Sequence, residues 1–236
     1  MSKSRRRTIE NNVHYIVEDE PILARHDKEV KPLKPRTKAQ ADYLHSIENN
    51  IITFGIGPAG TGKTYVSASY AAQQLKDGLV EKIIITRPVV ESGESLGFLP
   101  GELAEKYQPF IEPLLDVFNE RLGKSFTKYC LSHEKIHAKP MAYMRGCTFK
   151  NAIVILDEAQ NTTPDQMKLF LTRIGDDCKV VIDGDLSQSD LSITSGLEDA
   201  IKRVTRIPSV GVITFGVEDI VRSGIAKQIV KAYSYA

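Results

Sequence analysis

Gly57-Pro58-Ala59-Gly60-Thr61-Gly62-Lys63-Thr64-Tyr65 follows the apolar run Ile51-Ile52-Thr53-Phe54-Gly55-Ile56 and opens a helical stretch over residues 65–75. Strand, glycine-rich turn and helix, with G-x-x-x-x-G-K-[ST] at the turn, make up the P-loop arrangement. Small residues free backbone N–H groups to wrap the phosphates of a nucleoside triphosphate, and the positive end of a helix dipole stands behind them. Lys63 is placed to reach the β- and γ-phosphates, and Thr64 to hold Mg²⁺. Every residue from Gly57 to Tyr65 is therefore a candidate nucleotide contact.

The same segment contains a formal G-x-G-x-x-G at Gly55, Gly57 and Gly60. A dinucleotide site would also need an acid about 20 positions on, at the end of the second strand. That strand, Lys82-Ile83-Ile84-Ile85-Thr86, ends in Arg87, and Asp77 falls in the turn before it. Gly62-Lys63-Thr64 has no purpose in that reading, so the triphosphate reading is preferred.

A length of 236 residues suits one domain, or a domain with a tail. With 42% hydrophobic and 26% charged residues, the balance is that of a soluble globular chain. No segment approaches the roughly 18 apolar residues that span a bilayer. The basic N-terminus lacks the apolar run of a signal peptide, so a cytoplasmic protein is expected. Cys130, Cys147 and Cys178 are odd in number and far apart, which fits reduced thiols better than a disulfide framework or a zinc site. A net charge of +1 excludes a global electrostatic footprint for nucleic acid. Any such binding must be local, through a loop, a tail or an assembled ring.

Residues 1–36 read as an N-terminal arm and 37–236 as the domain. The arm opens with Arg5-Arg6-Arg7, mixes both charge signs, and ends in Lys31-Pro32-Leu33-Lys34-Pro35-Arg36, where the prolines break any helix. It reads either as a partly ordered strap over the domain or as a basic tail for nucleic acid. Glu18, Asp19 and Glu20 dilute its charge and favour the strap.

Beyond the arm, apolar runs at 51–56, 82–86, 152–156, 179–182 and 210–215 alternate with helical periodicity, and a shorter candidate lies at Lys135-Ile136-His137. Such alternation predicts an α/β fold, a mostly parallel sheet with helices on both faces. Thr163-Pro164-Asp165-Gln166 and Ser195-Gly196-Leu197-Glu198 read as capping boxes that start two of the helices.

Ala152-Ile153-Val154-Ile155-Leu156 runs directly into Asp157-Glu158-Ala159-Gln160. A wholly apolar strand ending in two acids fits a buried strand whose C-terminal end carries chemistry. Asp157 is the candidate to hold Mg²⁺ through water, and Glu158 the candidate general base on the attacking water. Gln160 also suits positioning a water. The other reading of the acid pair is a helix N-terminus that favours negative charge.

Val180-Val181-Ile182 leads into Asp183-Gly184-Asp185-Leu186-Ser187-Gln188, where Gln188 suits a γ-phosphate sensor, although the residues also favour a simple polar turn. Gln40 has two readings: its amide matches the edge of adenine, and Thr37-x-x-Gln40 is a capping box. The connection from Arg87 to Gly101 is long enough to be a functional loop. In it Arg87 could meet a nucleic-acid phosphate and Phe98 could stack on a base; a packed surface loop is the plain alternative.

These residues bring the chain close to a known family. Phe54-Gly55-Ile56 with the P-loop, Thr86-Arg87-Pro88, Gly97-Phe98-Leu99-Pro100-Gly101, Met144-Arg145-Gly146 and Ile155-Leu156-Asp157-Glu158-Ala159-Gln160-Asn161 resemble the PhoH family of P-loop ATPases over about residues 35–234. The resemblance implies a RecA-like fold of one lobe, similar to the N-terminal lobe of superfamily 1 helicases. It also implies ATP and Mg²⁺ as ligands, an RNA-linked cytoplasmic role, and nucleic-acid contacts at Arg87, Phe98 and Arg145. Cys147, Ser95 and Ser223 depart from the family pattern and leave the nucleotide motifs intact.

A superfamily 1 helicase closes two lobes over ATP and draws an arginine finger from the second. One lobe here implies either slow hydrolysis or a neighbouring subunit that supplies the arginine across a ring, with a hexamer expected. Arg222 is the first candidate for that finger, ahead of Arg173 and Arg203. The expected function is Mg²⁺-dependent ATP hydrolysis coupled to single-stranded nucleic acid, RNA favoured. The alternatives are a P-loop kinase of a small metabolite and a nucleotide-switched binding module.

Overall fold

The computed structural model describes residues 32–88, 103–190, 194–222 and 224–234. Among them six strands form one sheet: β1 (Ile52–Ile56), β2 (Lys82–Thr86), β3 (Ile136–Ala138), β4 (Ala152–Leu156), β5 (Cys178–Gly184) and β6 (Val210–Thr214). Their spatial order is β3-β2-β4-β5-β1-β6, and every pairing is parallel. The helices are α1 (Lys38–Asn49), α2 (Lys63–Lys76), α3 (Leu103–Leu122), α4 (Lys124–Ser132), α5 (Pro164–Leu171), α6 (Gly196–Val204) and α7 (Gly224–Ser234).

Side chains alternate across the sheet, so each strand feeds two separate cores. Ile83, Ile85, Ile153, Ile155 and Val181 face one side, where Tyr43 of α1, Val66 and Ala71 of α2, and Leu114 and Phe118 of α3 cover them. Phe54, Ile84, Val154, Leu156, Val180 and Ile182 face the other, against Met167 and Phe170 of α5 and Leu197 of α6. Burial on both faces explains why β2 and β4 read as nearly continuous apolar runs.

All the strands expected from sequence are present, the short candidate as the edge strand β3. β5 is longer than expected because β1 and β4 flank it on both sides, and its pairing with β1 continues to Ile56↔Gly184. α3 is the element that the sequence pattern announces least, since it runs through Pro109 and Pro113. Thr163 closes a complete capping box with Gln166. Ser195 closes only half of one: its hydroxyl accepts from the Leu197 N–H, while the Glu198 carboxylate turns outward to Lys202 at 2.6 Å.

Registers Ile56↔Gly184, Leu156↔Ile182 and Thr86↔Leu156 bring the C-terminal ends of β1, β5, β4 and β2 to one edge of the sheet. The segments that follow them converge there, as ligand-carrying loops do in open parallel sheets.

Candidate functional site

The P-loop leaves β1 through three glycines at positive φ, Gly57 (144°), Gly60 (84°) and Gly62 (86°). Two of them are also closely approached, Gly57 by backbone and Gly62 by a side-chain amide. A Cβ on Gly57 would lie 2.3 Å from the Phe215 carbonyl oxygen, and one on Gly62 would lie 2.6 Å from Gln40 Nε2. Lys63 starts α2 with its ammonium folded inside the loop, donating to the Gly57 and Pro58 carbonyls at 2.6 and 3.0 Å. Burial lowers its pKa, against the opposing pull of Asp183, Asp185, Asp157 and Glu158.

Next to Lys63, Thr64 Oγ1 donates to Asp157 Oδ1 at 3.2 Å, across 93 positions of sequence. A hydroxyl and a carboxylate side by side are the hard oxygen donors that Mg²⁺ takes from a protein when substrate phosphates supply the rest. Burial raises the Asp157 pKa, and the neighbouring Glu158 carboxylate raises it further. A cation at this place would relieve both. Asp185, also buried, leaves Oδ2 without a hydrogen-bond partner among the described residues, although it lines the same cleft. An orphaned buried acceptor in a cleft suits a donor carried by ligand or metal-bound water.

Glu158 adopts left-handed backbone geometry, φ 53°, uncommon for a residue with a Cβ. Both its carboxylate oxygens are held. Arg87 Nη2 donates to Oε1 at 3.1 Å, and Gln160 Nε2 donates to Oε2 at 2.6 Å. Gln160 is turned inward, and its Oε1 accepts the Asp185 N–H at 3.0 Å. The expectation that Gln160 positions a water is therefore corrected: its amide is spent on orienting Glu158 and tying it to the segment that carries Gln188. Gln188 itself is exposed at the rim of the cleft.

Arg222 also lies close to the loop. Sequence reasoning offered it to a neighbouring subunit, yet it lies over its own P-loop, and a Cβ on Gly60 would meet its Cδ and Nε at 2.8 Å. The cause is a backbone bond, Val221 N–H to the Gly60 carbonyl at 3.0 Å, that ties this segment to the loop. Together these groups line a cleft of about 380 Å³ bounded by Gly60, Lys63, Thr64, Arg87, Asp157, Glu158, Asp185, Gln188 and Arg222.

Gln40 corrects its capping-box reading in part. Thr37 Oγ1 caps its N–H at 3.2 Å, but the side chain does not return to the Thr37 N–H. Instead Oε1 accepts from the Arg36 N–H and Nε2 donates to the Thr61 carbonyl, both at 2.8 Å, so the amide props the P-loop. Beneath the loop lies a group that sequence reasoning missed. Asp183 is fully buried, with its carboxylate accepting from Tyr43 Oη at 2.5 Å and Ser67 Oγ at 2.9 Å. Burial and the Asp157 charge push its pKa up to about 7.

The PhoH-like protein family matches residues 32–234 of this chain. The chain belongs to that family. Protein PhoH of Escherichia coli strain K12 is 48% identical over 216 residues, covering 90% of this chain and 61% of its own length. A PhoH-like protein of Bacillus subtilis strain 168 is 47% identical over 205 residues, covering 86% of this chain and 64% of its own. The chain thus spans less than two thirds of the length of these curated relatives. Among solved structures, the large terminase of a thermophilic bacteriophage superposes with a TM-score of 0.50 at 11% identity, over 85% of this chain and 50% of that one. This likeness is one of fold, and it fits the RecA-like P-loop NTPase architecture of the sheet. In this PhoH-like chain the P-loop, Asp157, Glu158, Gln188, Arg87 and Arg222 line one cleft and Gln40 lines a second groove that shares Gly62 and Tyr65 with it, whereas Arg145 is exposed and lines neither. Phe98, Ser95, Ser223 and arm residues 1–31 lie outside the described residues. No helix of the described residues is long and apolar enough to cross a membrane.

Proposed function

We propose that this PhoH-like chain hydrolyses ATP with Mg²⁺ and couples the turnover to single-stranded nucleic acid, RNA favoured. One observation carries the hydrolytic reading: the P-loop, the Thr64–Asp157 pair and the doubly held Glu158 carboxylate line a single cleft. The P-loop N–H groups and Lys63 bind the triphosphate. Thr64 and Asp157 are the residues that would hold Mg²⁺, which when bound neutralises charge on the β- and γ-phosphate oxygens. Glu158 takes the proton of the water that attacks the γ-phosphorus, and ADP and phosphate leave. Arg222, lying over Gly60, supplies positive charge to the phosphates in its own subunit.

ATP selection is supported by a groove of about 220 Å³ beside the loop, lined by Leu33, Arg36, Gln40, Gly62, Tyr65 and Val221. A base seated there would find the Gln40 amide and the half-exposed Tyr65 ring. A homo-oligomeric ring, a hexamer by family resemblance, is supported by Ile225 and Ile229, exposed 65% and 51% one turn apart on α7. Exposed apolar side chains at that spacing fit a protein interface.

The test is phosphate release from ATP and Mg²⁺, with and without single-stranded RNA or DNA, in wild type and Glu158→Gln. The variant should retain ATP and lose turnover by a factor of about 10² or more. Normal turnover in it refutes the base assignment. Strong stimulation by RNA supports the coupling. ADP formed only with a small acceptor would make the protein a kinase, and trace unstimulated turnover a nucleotide switch. Sedimentation as a monomer with ATP and Mg²⁺ at full activity would refute the ring.

A further inference from the structure

The Glu158 carboxylate has its oxygens engaged by two different kinds of donor. Gln160 is neutral, buried and itself bonded to the Asp185 N–H, so it is a fixed support. Arg87 is cationic and reaches Glu158 through a single N–H, with 24% of its side chain and 37% of that of Glu158 exposed at the cleft. While that bond stands, the charge of the proposed base is neutralised on one oxygen. The base is also set on a left-handed backbone. Such strain persists only where neighbours hold it, and it gathers at switch regions.

The root of Arg87 is fixed while its head is reachable. Its N–H donates to Tyr107 Oη at 2.5 Å, and Tyr107 Oη donates back to its carbonyl at 3.0 Å. Nη1 donates to the Phe110 carbonyl at 3.0 Å, inside the stretch of α3 that carries Pro109 and Pro113. Arginine carries five N–H donors in a fork that matches phosphate oxygens in pairs. Only two of them have partners among the described residues, Phe110 and Glu158. A phosphate offers the guanidinium two parallel bonds where Glu158 offers one.

We propose that Arg87 is a gate on Glu158: in the closed arrangement it neutralises the base, and a nucleic-acid backbone phosphate that takes the guanidinium releases Glu158 to accept the proton of water. The inference rests on the proposed role of Glu158 and adds the means by which nucleic acid raises turnover. No bond other than hydrogen bonds changes in the gating step. A ligand shifts such an equilibrium only by its different affinity for the two arrangements, and a phosphodiester binds only the open one.

The test measures phosphate release by the full chain with saturating ATP and Mg²⁺, with and without poly(U) RNA, for wild type, Arg87→Ala, Arg87→Lys and Glu158→Gln. A gate predicts that Arg87→Ala is faster than wild type without RNA, by about fivefold from a half-exposed ion pair, with KM for ATP unchanged. It also predicts that poly(U) adds nothing further in this variant. Arg87→Lys, which keeps the charge but loses the fork, should show a raised unstimulated rate and a reduced but real response to poly(U). Slower unstimulated turnover in Arg87→Ala would make Arg87 a transition-state contact and overturn the gate. So would a full poly(U) response in that variant, or wild-type unstimulated rates in both. Should Arg87→Ala fail to bind a fluorescent ATP analogue, Arg87→Lys decides by the same two readings. Turnover in Glu158→Gln would sink the base assignment itself, which separates failure of the proposed function from failure of the gate.

Discussion

Gln160 donates to the Glu158 carboxylate at 2.6 Å, and the two side chains sit only two positions apart on a 3₁₀ turn that follows β4. The other end of the same amide holds the Asp185 N–H. Removing the amide frees the carboxylate and strands a buried donor. Gln160→Ala should cost about 1–3 kcal/mol of stability by urea unfolding and about tenfold in turnover. Gln160→Glu should do worse in turnover at neutral pH, because it sets a second carboxylate against Glu158. Equal turnover in all three proteins would show that Gln160 does not orient the base.

Arg222 over Gly60 predicts the outcome of a mixing experiment. Chains bearing Glu158→Gln and chains bearing Arg222→Ala should both be slow, and their mixture should remain slow. Each cleft needs both residues from its own chain. Recovery of phosphate release on mixing would mean that Arg222 serves the neighbour after all.

The Thr64–Asp157 pair predicts the metal response. EDTA should abolish turnover, and Asp157→Asn should move the Mg²⁺ concentration for half-maximal turnover up by about tenfold or more, since a neutral amide replaces the carboxylate. Titration of phosphate release against Mg²⁺ reads this directly. An unmoved midpoint would remove Asp157 from the metal site.

Asp183 predicts a slope of stability with pH. Its pKa rises from the ordinary 3.8 to about 7 in the folded chain, so between these values the folded state keeps a proton that the unfolded state releases. Stability contributed by the protonated carboxyl is complete at the acid end and is lost as pH rises toward 7, by at most about 1.4 kcal/mol per pH unit. Asp157, raised in the same direction, adds to the slope. Urea unfolding between pH 5 and pH 8 should show a shallower decline in Asp183→Asn than in wild type. Coincident slopes would show that Asp183 stays ionised throughout.

Gly57 predicts a lesion of the loop itself. At φ 144°, with the Phe215 carbonyl oxygen 2.3 Å from any Cβ, Gly57→Ala has no relaxed position. Binding of a fluorescent ATP analogue should weaken by at least about tenfold, and stability should fall by about 2 kcal/mol. Unchanged binding would mean that the loop takes another conformation in solution.

Much of the framework was legible because it is written locally. β2 and β4 announce themselves as apolar runs, Thr163 and Gln166 close a box three residues apart, and Gly57 to Thr64 carry a turn whose φ angles only glycine meets easily. α3 was hard to read because Pro109 and Pro113 are helix breakers by local rules, and tertiary packing of Leu114 and Phe118 overrides them. Gln40 was ambiguous because its local partner Thr37 and its distant partner Thr61 both use the same residue, one by its N–H and one by its amide.

The sequence by itself determined the P-loop turn, the parallel sheet and the two acids at the end of β4, since each depends on periodicity and turn chemistry within a few residues. Only the tertiary structure decided which side chains meet. Arg87 finds Glu158 across 71 positions, Gln160 finds the Asp185 N–H across 25, and Tyr43 finds Asp183 across 140. These meetings follow from the strand order, in which β5 lies between β1 and β4; the backbone bond from Val221 to Gly60 in the same way brings Arg222 to the loop. Strand order and loop docking are set by the packing of two whole cores, and no local stretch of sequence records them.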